Sequence, residues 1–354
     1  MFRQIIPVRT IPPYSVQIGA GLLTQCGAIL ADILKTRRVA VVTDTNVAPL
    51  YLGTVVDSLE SAGFHAAVHV LPAGEQHKNI ETLSEILEFL AESRLTRVDA
   101  VLALGGGVTG DMVGFAAGCY LRGVRFVQLP TTLLAAVDSS VGGKTAIDLK
   151  AGKNLAGLFL QPTAVLCDTD ALNTLSPALL ADGAAEVVKT GVLCGENLFA
   201  RLEDGTWVND LAEIIAECVR YKAGIVERDE RESGERRLLN LGHTVGHAVE
   251  KCSGYAVSHG HAVAIGLAVI ARASDALGWT RNPIAKRIEA ALVQNNLPIS
   301  TEIKAEELAS AALADKKRVG DTVTLIVPEA IGKCVQKAVP VTELAHIIRA
   351  GTGV

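Results

Sequence analysis

Short strand-like runs alternate with amphipathic helical stretches up to residue 167, and after Pro177 the strands all but stop. Val39-Ala40-Val41-Val42-Thr43-Asp44 is a β-branched run closed by a turn residue, as in a strand buried on both faces. Residues 52–63 carry helical periodicity and a glycine stop, and 65–71 form a second short apolar run. Residues 80–91 place Ile80, Leu83, Ile86, Leu87 and Leu90 on one helical face. Residues 100–104 predict a buried strand leading into Gly105-Gly106-Gly107, with a helix over 112–119 and further strands at 125–129 and 164–167. Such alternation dictates an α/β layer around a mostly parallel sheet. Beyond it the pattern predicts helices at 178–193, 211–228, 238–250, 261–277 and 284–294, and a strand pair at 322–327 and 334–339. The expected organisation is an α/β domain, residues 1–176, followed by a mainly helical domain, residues 177–354.

The 354 residues suffice for two such domains. A net charge of -5 argues against general nucleic-acid binding, so any affinity for an anion must come from a local cluster of cations. The seven cysteines form no Cys-x-x-Cys pair, which favours reduced thiols over a disulfide frame or a cysteine zinc site. No apolar signal core follows the N-terminus, and the apolar stretch near 262–270 falls far short of the roughly 20 residues that span a bilayer. These features point to a soluble cytoplasmic protein without a membrane partner.

Four segments carry chemistry. In residues 236–250 an unbroken helix would bring Arg236, Asn240, His243 and His247 into one column, and a further histidine follows at His259. A lone His-x3-His pair is more often a pair of surface or core histidines than a metal site. Glu186 and Lys189 stand three apart on an otherwise apolar helix, a costly place for charge without a purpose. Glu186 could complete a carboxylate-plus-two-histidine zinc site that leaves positions open for substrate. The turn Gly105-Gly106-Gly107-Val108-Thr109-Gly110-Asp111 lets backbone approach a pyrophosphate at a helix N-terminus, and Asp44 is placed to bind a ribose diol. A tight strand-to-helix turn and a helix-capping Asp are the plainer readings of these two. Gly142-Gly143-Lys144-Thr145 lacks the first glycine of a phosphate loop, so an ATPase is excluded. Lys153 and Asn154 follow soon after.

Together these segments resemble the 3-dehydroquinate synthase family over nearly the whole chain, from Asp44 to Asp315-Lys316-Lys317. The resemblance rests on Gly-Glu-Gln-x-Lys at 74–78, the glycine motif at 105–111, Pro-Thr-Thr-Leu-Leu-Ala at 130–135 and Gly-Gly-Lys-Thr at 142–145. It rests equally on Gly-Lys-Asn-Leu at 152–155, Ala-Glu-Val-Val-Lys at 185–189, Asp-Glu-Arg-Glu at 229–232 and the Leu-Asn-Leu-Gly-His segment. It implies a dehydroquinate synthase-like or glycerol dehydrogenase-like fold, an α/β N-terminal nucleotide-binding domain plus an all-α C-terminal domain that binds metal and substrate, and the use of NAD and Zn2+, with Co2+ as a substitute. By this resemblance Glu186, His243 and His259 ligate the metal, and His247 turns to the substrate's phosphate. Asp44, Glu75, Lys78, Asp111, Thr131, Thr132, Lys153 and Thr174 hold NAD, with Gly106, Gly107, Val108, Gly110 and Lys144 beside it. Asp138, Lys144, Asn154, Lys189, Lys222, Arg236 and Asn240 line the substrate pocket, joined by Lys316 or Lys317. Arg122 matches an arginine that reaches the phosphate held by a neighbouring subunit, which implies a homodimer. The chain departs from the family at Thr190, where an aromatic residue is common, and at His261, where an acidic residue is common.

The implied reaction converts a sugar phosphate, 3-deoxy-D-arabino-heptulosonate 7-phosphate, to 3-dehydroquinate and phosphate, a shikimate-pathway step. Two alternatives share the machinery: a sister cyclase such as 2-deoxy-scyllo-inosose synthase, and a glycerol-dehydrogenase-like oxidoreductase. Lys222, Arg236 and Asn240 favour a substrate with a carboxylate over that of a sister cyclase, and the lysine-rich pocket argues against a small neutral alcohol. A catalytically inactive NAD-binding module would have no use for the intact metal set and its lysines.

Overall fold

The computed structural model describes residues 3–313, 318, 319 and 321–352. The chain divides into two compact units, Met1–Leu175 with Lys222–Glu230, and Ser176–Tyr221 with Arg231–Val354.

In the first unit seven strands form one sheet: β1 (Arg3–Val8), β2 (Tyr14–Gly19), β3 (Arg38–Asp44), β4 (His65–Leu71), β5 (Ala100–Gly105), β6 (Arg125–Pro130) and, after a hairpin of β7 (Lys144–Leu149) and β8 (Gly152–Phe159), β9 (Ala164–Asp168). Their spatial order is 1-2-9-6-5-3-4, and only β1 runs antiparallel to its neighbour. Side chains alternate between the two faces of a strand. Val39 and Val41 therefore pack with Leu30, Val55 and Leu59 of α1 (Cys26–Ile33) and α2 (Gly53–Ser61). Ala40 and Val42 pack on the other face with Ile86, Leu90, Met112 and Val113 of α3 (Ile80–Glu92) and α4 (Gly107–Cys119). The chain leaves β3 through α2 on one face and β5 through α4 on the opposite face. A crevice opens where adjacent parallel strands diverge in this way, which is the usual ligand position in such sheets.

The second unit holds α5 (Pro177–Cys194), α6 (Glu196–Glu203), most of α7 (Leu211–Arg228), α8 (His243–Cys252), α9 (His259–Ala276), α10 (Ala285–Gln294), α11 (Ala305–Leu313) and α12 (Leu344–Thr352). It also carries a small antiparallel sheet of β10 (Arg318–Val319), β11 (Thr322–Ala330) and β12 (Lys333–Pro340), which contains the expected strand pair. α9 is buried along most of its length and packs against α5, α8 and α12. The C-terminal part of α7 belongs with the first unit, a return that no single cut of the chain describes. There the Lys222 ammonium pairs with Asp138, Glu227 accepts the Arg9 backbone N–H at 2.8 Å, and Glu230 accepts from Gln161 at 2.8 Å. Among the described residues no helix is long and apolar enough to cross a membrane.

Two helix starts differ from expectation. The predicted helix over 238–250 begins only at His243, because Gly242 adopts φ +78° and Leu241 is extended, while residues 235–240 form a separate 3-10 turn. Arg236 and Asn240 therefore do not share a helical column with His243 and His247. α4 begins at Gly107 rather than at Met112, so the glycine turn is itself the first turn of that helix.

Candidate active site

Three helices of the second unit are brought close by missing side chains. A Cβ on Gly260 of α9 would lie 1.9 Å from the Asp182 carbonyl oxygen of α5, and one on Gly266 would lie 2.0 Å from the Gly242 carbonyl oxygen before α8. At those approaches Glu186 of α5, His243 at the start of α8 and His259 at the start of α9 converge. Glu186 is 1% exposed and ion-paired with Lys189, itself 2% exposed. Its Oε1 lies 3.5 Å from His243 Nε2 and 3.4 Å from His259 Nε2. Among the described residues neither carboxylate oxygen has a hydrogen bond of ordinary geometry. Bonds of about 2.0–2.2 Å to a tetrahedral zinc ion place its donors roughly 3.3–3.6 Å apart, so these spacings fit ligands that share an ion. The far nitrogen of each ring is held, His243 Nδ1 by the Leu241 carbonyl at 3.1 Å and His259 Nδ1 by the Glu250 carboxylate at 3.3 Å. Burial opposes charge on His259, but Glu186 and Glu250 outweigh it and push its pKa up to about 10 when no ion is bound. The field at this point favours a cation. His247 completes a triangle of imidazoles, its centroid 5.4 Å from that of His243 and 6.0 Å from that of His259.

In the first unit a second cluster lies on the C-terminal side of the sheet. Lys78 donates to Asp111 at 2.6 Å and to the Asn154 side-chain oxygen at 2.7 Å, and Lys153 pairs with Glu75 at 3.1 Å. Burial alone would lower the Lys78 pKa, but Asp111, Glu75 and Asp148 outweigh it and hold the ammonium above its ordinary value. Asp44 ends β3, caps Asn46 and Val47, and accepts from Thr109 of α4 at 3.0 Å, which places it beside the glycine turn. Gly106 carries no capping side chain, and a Cβ on Gly106 or Gly107 would stand 3.1 Å from Thr132 or Ser139 respectively. The open N-terminus of α4 thus offers backbone N–H groups to a phosphate. The donors and bare backbone together fit a dinucleotide.

The family model described as 3-dehydroquinate synthase N-terminal matches residues 68–182, and that described as 3-dehydroquinate synthase C-terminal matches residues 183–318. The chain belongs to the 3-dehydroquinate synthase family. A 3-dehydroquinate synthase of Rhizobium leguminosarum bv. trifolii is 46% identical over 95% of this chain and 93% of its own length. One from Latilactobacillus sakei subsp. sakei is 42% identical over 95% of both. The activity is accordingly that of a 3-dehydroquinate synthase, and sister cyclases enter only as structural neighbours. A crystal structure of 2-deoxy-scyllo-inosose synthase complexed with carbaglucose-6-phosphate, NAD+ and Co2+ superposes with a TM-score of 0.87 at 24% identity, over 99% of this chain and 100% of that one. The 2-epi-5-epi-valiolone synthase of Streptomyces hygroscopicus, with NAD+ and Zn2+ bound, reaches 0.86 at 26% identity over 95% of both chains. Glycerol dehydrogenase of Schizosaccharomyces pombe shares the fold, with a TM-score of 0.65 at 17% identity over 95% of this chain and 88% of that one.

The family motifs fall into these two clusters and a few outliers. Asp138 sits on the turn at 135–139 and receives Lys222 through both its carboxylate and, at 2.8 Å, its carbonyl oxygen. Arg236 is 1% exposed, and Asn240 donates to Glu232 at 2.6 Å. Thr131 is buried after β6, and Thr174 meets the Tyr51 hydroxyl at 2.5 Å. Lys144 and Arg122 are exposed, the first opening β7 and the second on the turn after α4. Lys316 and Lys317 lie outside the described residues. His261 faces Asp182 at 3.1 Å and Ser258 at 2.9 Å, away from the Glu186 cluster. Sequence reasoning missed Glu250, Asp148 and Asp182, each of which holds a family-motif residue or its neighbour, and gave Glu232 no role beyond its place in the motif at 229–232. Next to Lys251, Glu250 carries no signal of its burial in the sequence.

Proposed function

We propose that the chain converts 3-deoxy-D-arabino-heptulosonate 7-phosphate to 3-dehydroquinate and phosphate with NAD and a divalent metal, zinc or cobalt, as resident cofactors. The observation that carries the reading is the buried Glu186 carboxylate with two imidazole Nε2 atoms at 3.5 and 3.4 Å, each ring anchored from behind. Support comes from the sister cyclases whose structures hold NAD+ with Co2+ or Zn2+. NAD would accept hydride from a ring hydroxyl and later return it, so no reduced cofactor accumulates, and the metal would draw electron density from that hydroxyl's oxygen.

The chain's own residues do the rest. Glu75, Lys78, Asp111, Lys153 and the α4 N-terminus orient NAD, with Asp44 at its ribose. Glu186, His243 and His259 hold the metal. Lys189, Lys222, Arg236 and Asn240 gather the substrate's carboxylate and hydroxyls, and local cations overcome the chain's net negative charge. His247 would face the phosphate, and the ketone formed by oxidation acidifies the neighbouring C–H, whose loss as a proton expels phosphate by β-elimination. Orientation and fixed charge are the main contributions, because ring opening and aldol closure are intramolecular. Arg122 would reach the phosphate held by a neighbouring copy in a homodimer, and seven cysteines scattered without a Cys-x-x-Cys pair support a reducing, cytoplasmic setting.

The test is phosphate release from the heptulosonate phosphate with NAD and zinc added, while absorbance follows reduced cofactor. Phosphate without NADH build-up is the expected result. NADH rising in step with turnover would move the chain to the dehydrogenases, and release only from glucose 6-phosphate or sedoheptulose 7-phosphate would move it to a sister cyclase.

A further inference from the structure

Glu250 lies on α8, seven residues after His243, and is 2% exposed. A buried carboxylate is costly unless it is compensated. Its Oε2 stands 3.3 Å from His259 Nδ1, while the Nε2 of the same ring points at Glu186 Oε1, 3.4 Å away. His259 is thus held between two carboxylates contributed by different helices, α5 and α8. His243 differs, since its Nδ1 meets a backbone carbonyl.

We propose that Glu250 is a positioning residue for metal binding: it holds the Nδ1–H of His259 and so leaves the Nε2 lone pair for the ion that His259 would share with Glu186. This rests on the assignment of Glu186, His243 and His259 as the metal set. An imidazole offers a lone pair at only one nitrogen when neutral, and the partner of the other nitrogen decides which. A carboxylate partner both selects the tautomer and pushes electron density through the ring, and loss of such a partner typically costs about 10–100-fold in metal affinity. Two histidines of unequal basicity follow, one backed by a charge and one by a dipole.

The experiment measures zinc affinity of the full chain by competition with a chromophoric chelator, and the visible absorption of the cobalt form, for wild type, Glu250→Gln and Glu250→Ala. Glu250→Gln keeps an acceptor of the same shape but removes the charge, so a loss of about tenfold in affinity is expected, with a shifted cobalt band; Glu250→Ala should approach a hundredfold loss. NAD affinity, set by the other unit, stays at the wild-type value in a folded variant. Should Glu250→Ala fail that control, Glu250→Gln alone decides. Wild-type zinc affinity in the variants, with or without a lower melting temperature, would overturn the proposal and leave the metal set standing. A wild-type chain that takes up neither zinc nor cobalt would overturn the metal reading and this proposal with it.

Discussion

His259 carries opposite consequences with and without an ion. With none bound, its pKa is raised from an ordinary 6.5 to about 10, so its pairing stabilises the folded chain fully below pH 6.5 and loses that contribution as pH rises through about 10. Zinc must displace that proton. Apparent zinc affinity should therefore climb about tenfold per pH unit between pH 7 and 9, and calorimetry in buffers of different ionisation enthalpy should show proton release on binding. A flat affinity across that range would contradict the pairing. His243→Ala should yield a folded protein with at least about 100-fold weaker zinc retention and no measurable turnover, checked by metal analysis after dialysis. Glu186 stood out because charge on an otherwise apolar helix is rare, but spacing alone paired His243 with His247, and only the family resemblance put His259 in the proposed metal set. Glu250 did not stand out, since a Glu followed by Lys251 reads as the solvated side of a helix until its burial is known.

Elements set the spacing that residues use. The separation of α5 and α9 is fixed where Gly260 meets the Asp182 carbonyl, and Gly260→Ala would push the helices apart. Overpacking there should cost about 1–3 kcal/mol in chemical denaturation and lower zinc affinity as well, since Glu186 and His259 stand on the two helices. At the other cluster, Gly107→Val should weaken NAD binding by about tenfold or more, a loss of roughly 1.4 kcal/mol, while zinc uptake stays unchanged; fluorescence titration with NADH measures the first. The sheet and most helices were readable from hydrophobic period. The start of α8 was not: Leu238-Leu239-Asn240-Leu241 carries a helical pattern, yet Gly242 at φ +78° breaks the chain there. β1 and β2 also escaped notice, because Pro7, Pro12 and Pro13 read as loop punctuation, and the β7–β8 hairpin was hidden among glycines and lysines.

Across the whole molecule the thiols report on packing. Cys119, Cys194 and Cys252 are exposed, whereas Cys26, Cys167 and Cys218 are buried, and burial pushes the Cys167 thiol up to about 12. A maleimide at neutral pH should label the first three and reach the other three only after denaturation, which mass spectrometry of the digested protein resolves. Early labelling of Cys167 would contradict the packing of the sheet. An α/β part and a helical part were readable from the change of pattern, but the return of Lys222–Glu230 to the first unit was not, since its contacts, Lys222 with Asp138, Glu227 with Arg9 and Glu230 with Gln161, join residues far apart in sequence. That return ties the first unit to the direction of synthesis. Domains generally fold as they leave the ribosome, N-terminal first. Here the N-terminal unit lacks one segment when residue 175 emerges and gains it only as residues 222–230 follow, so a nascent chain stalled before Lys222 would hold Asp138 with its lysine still to come.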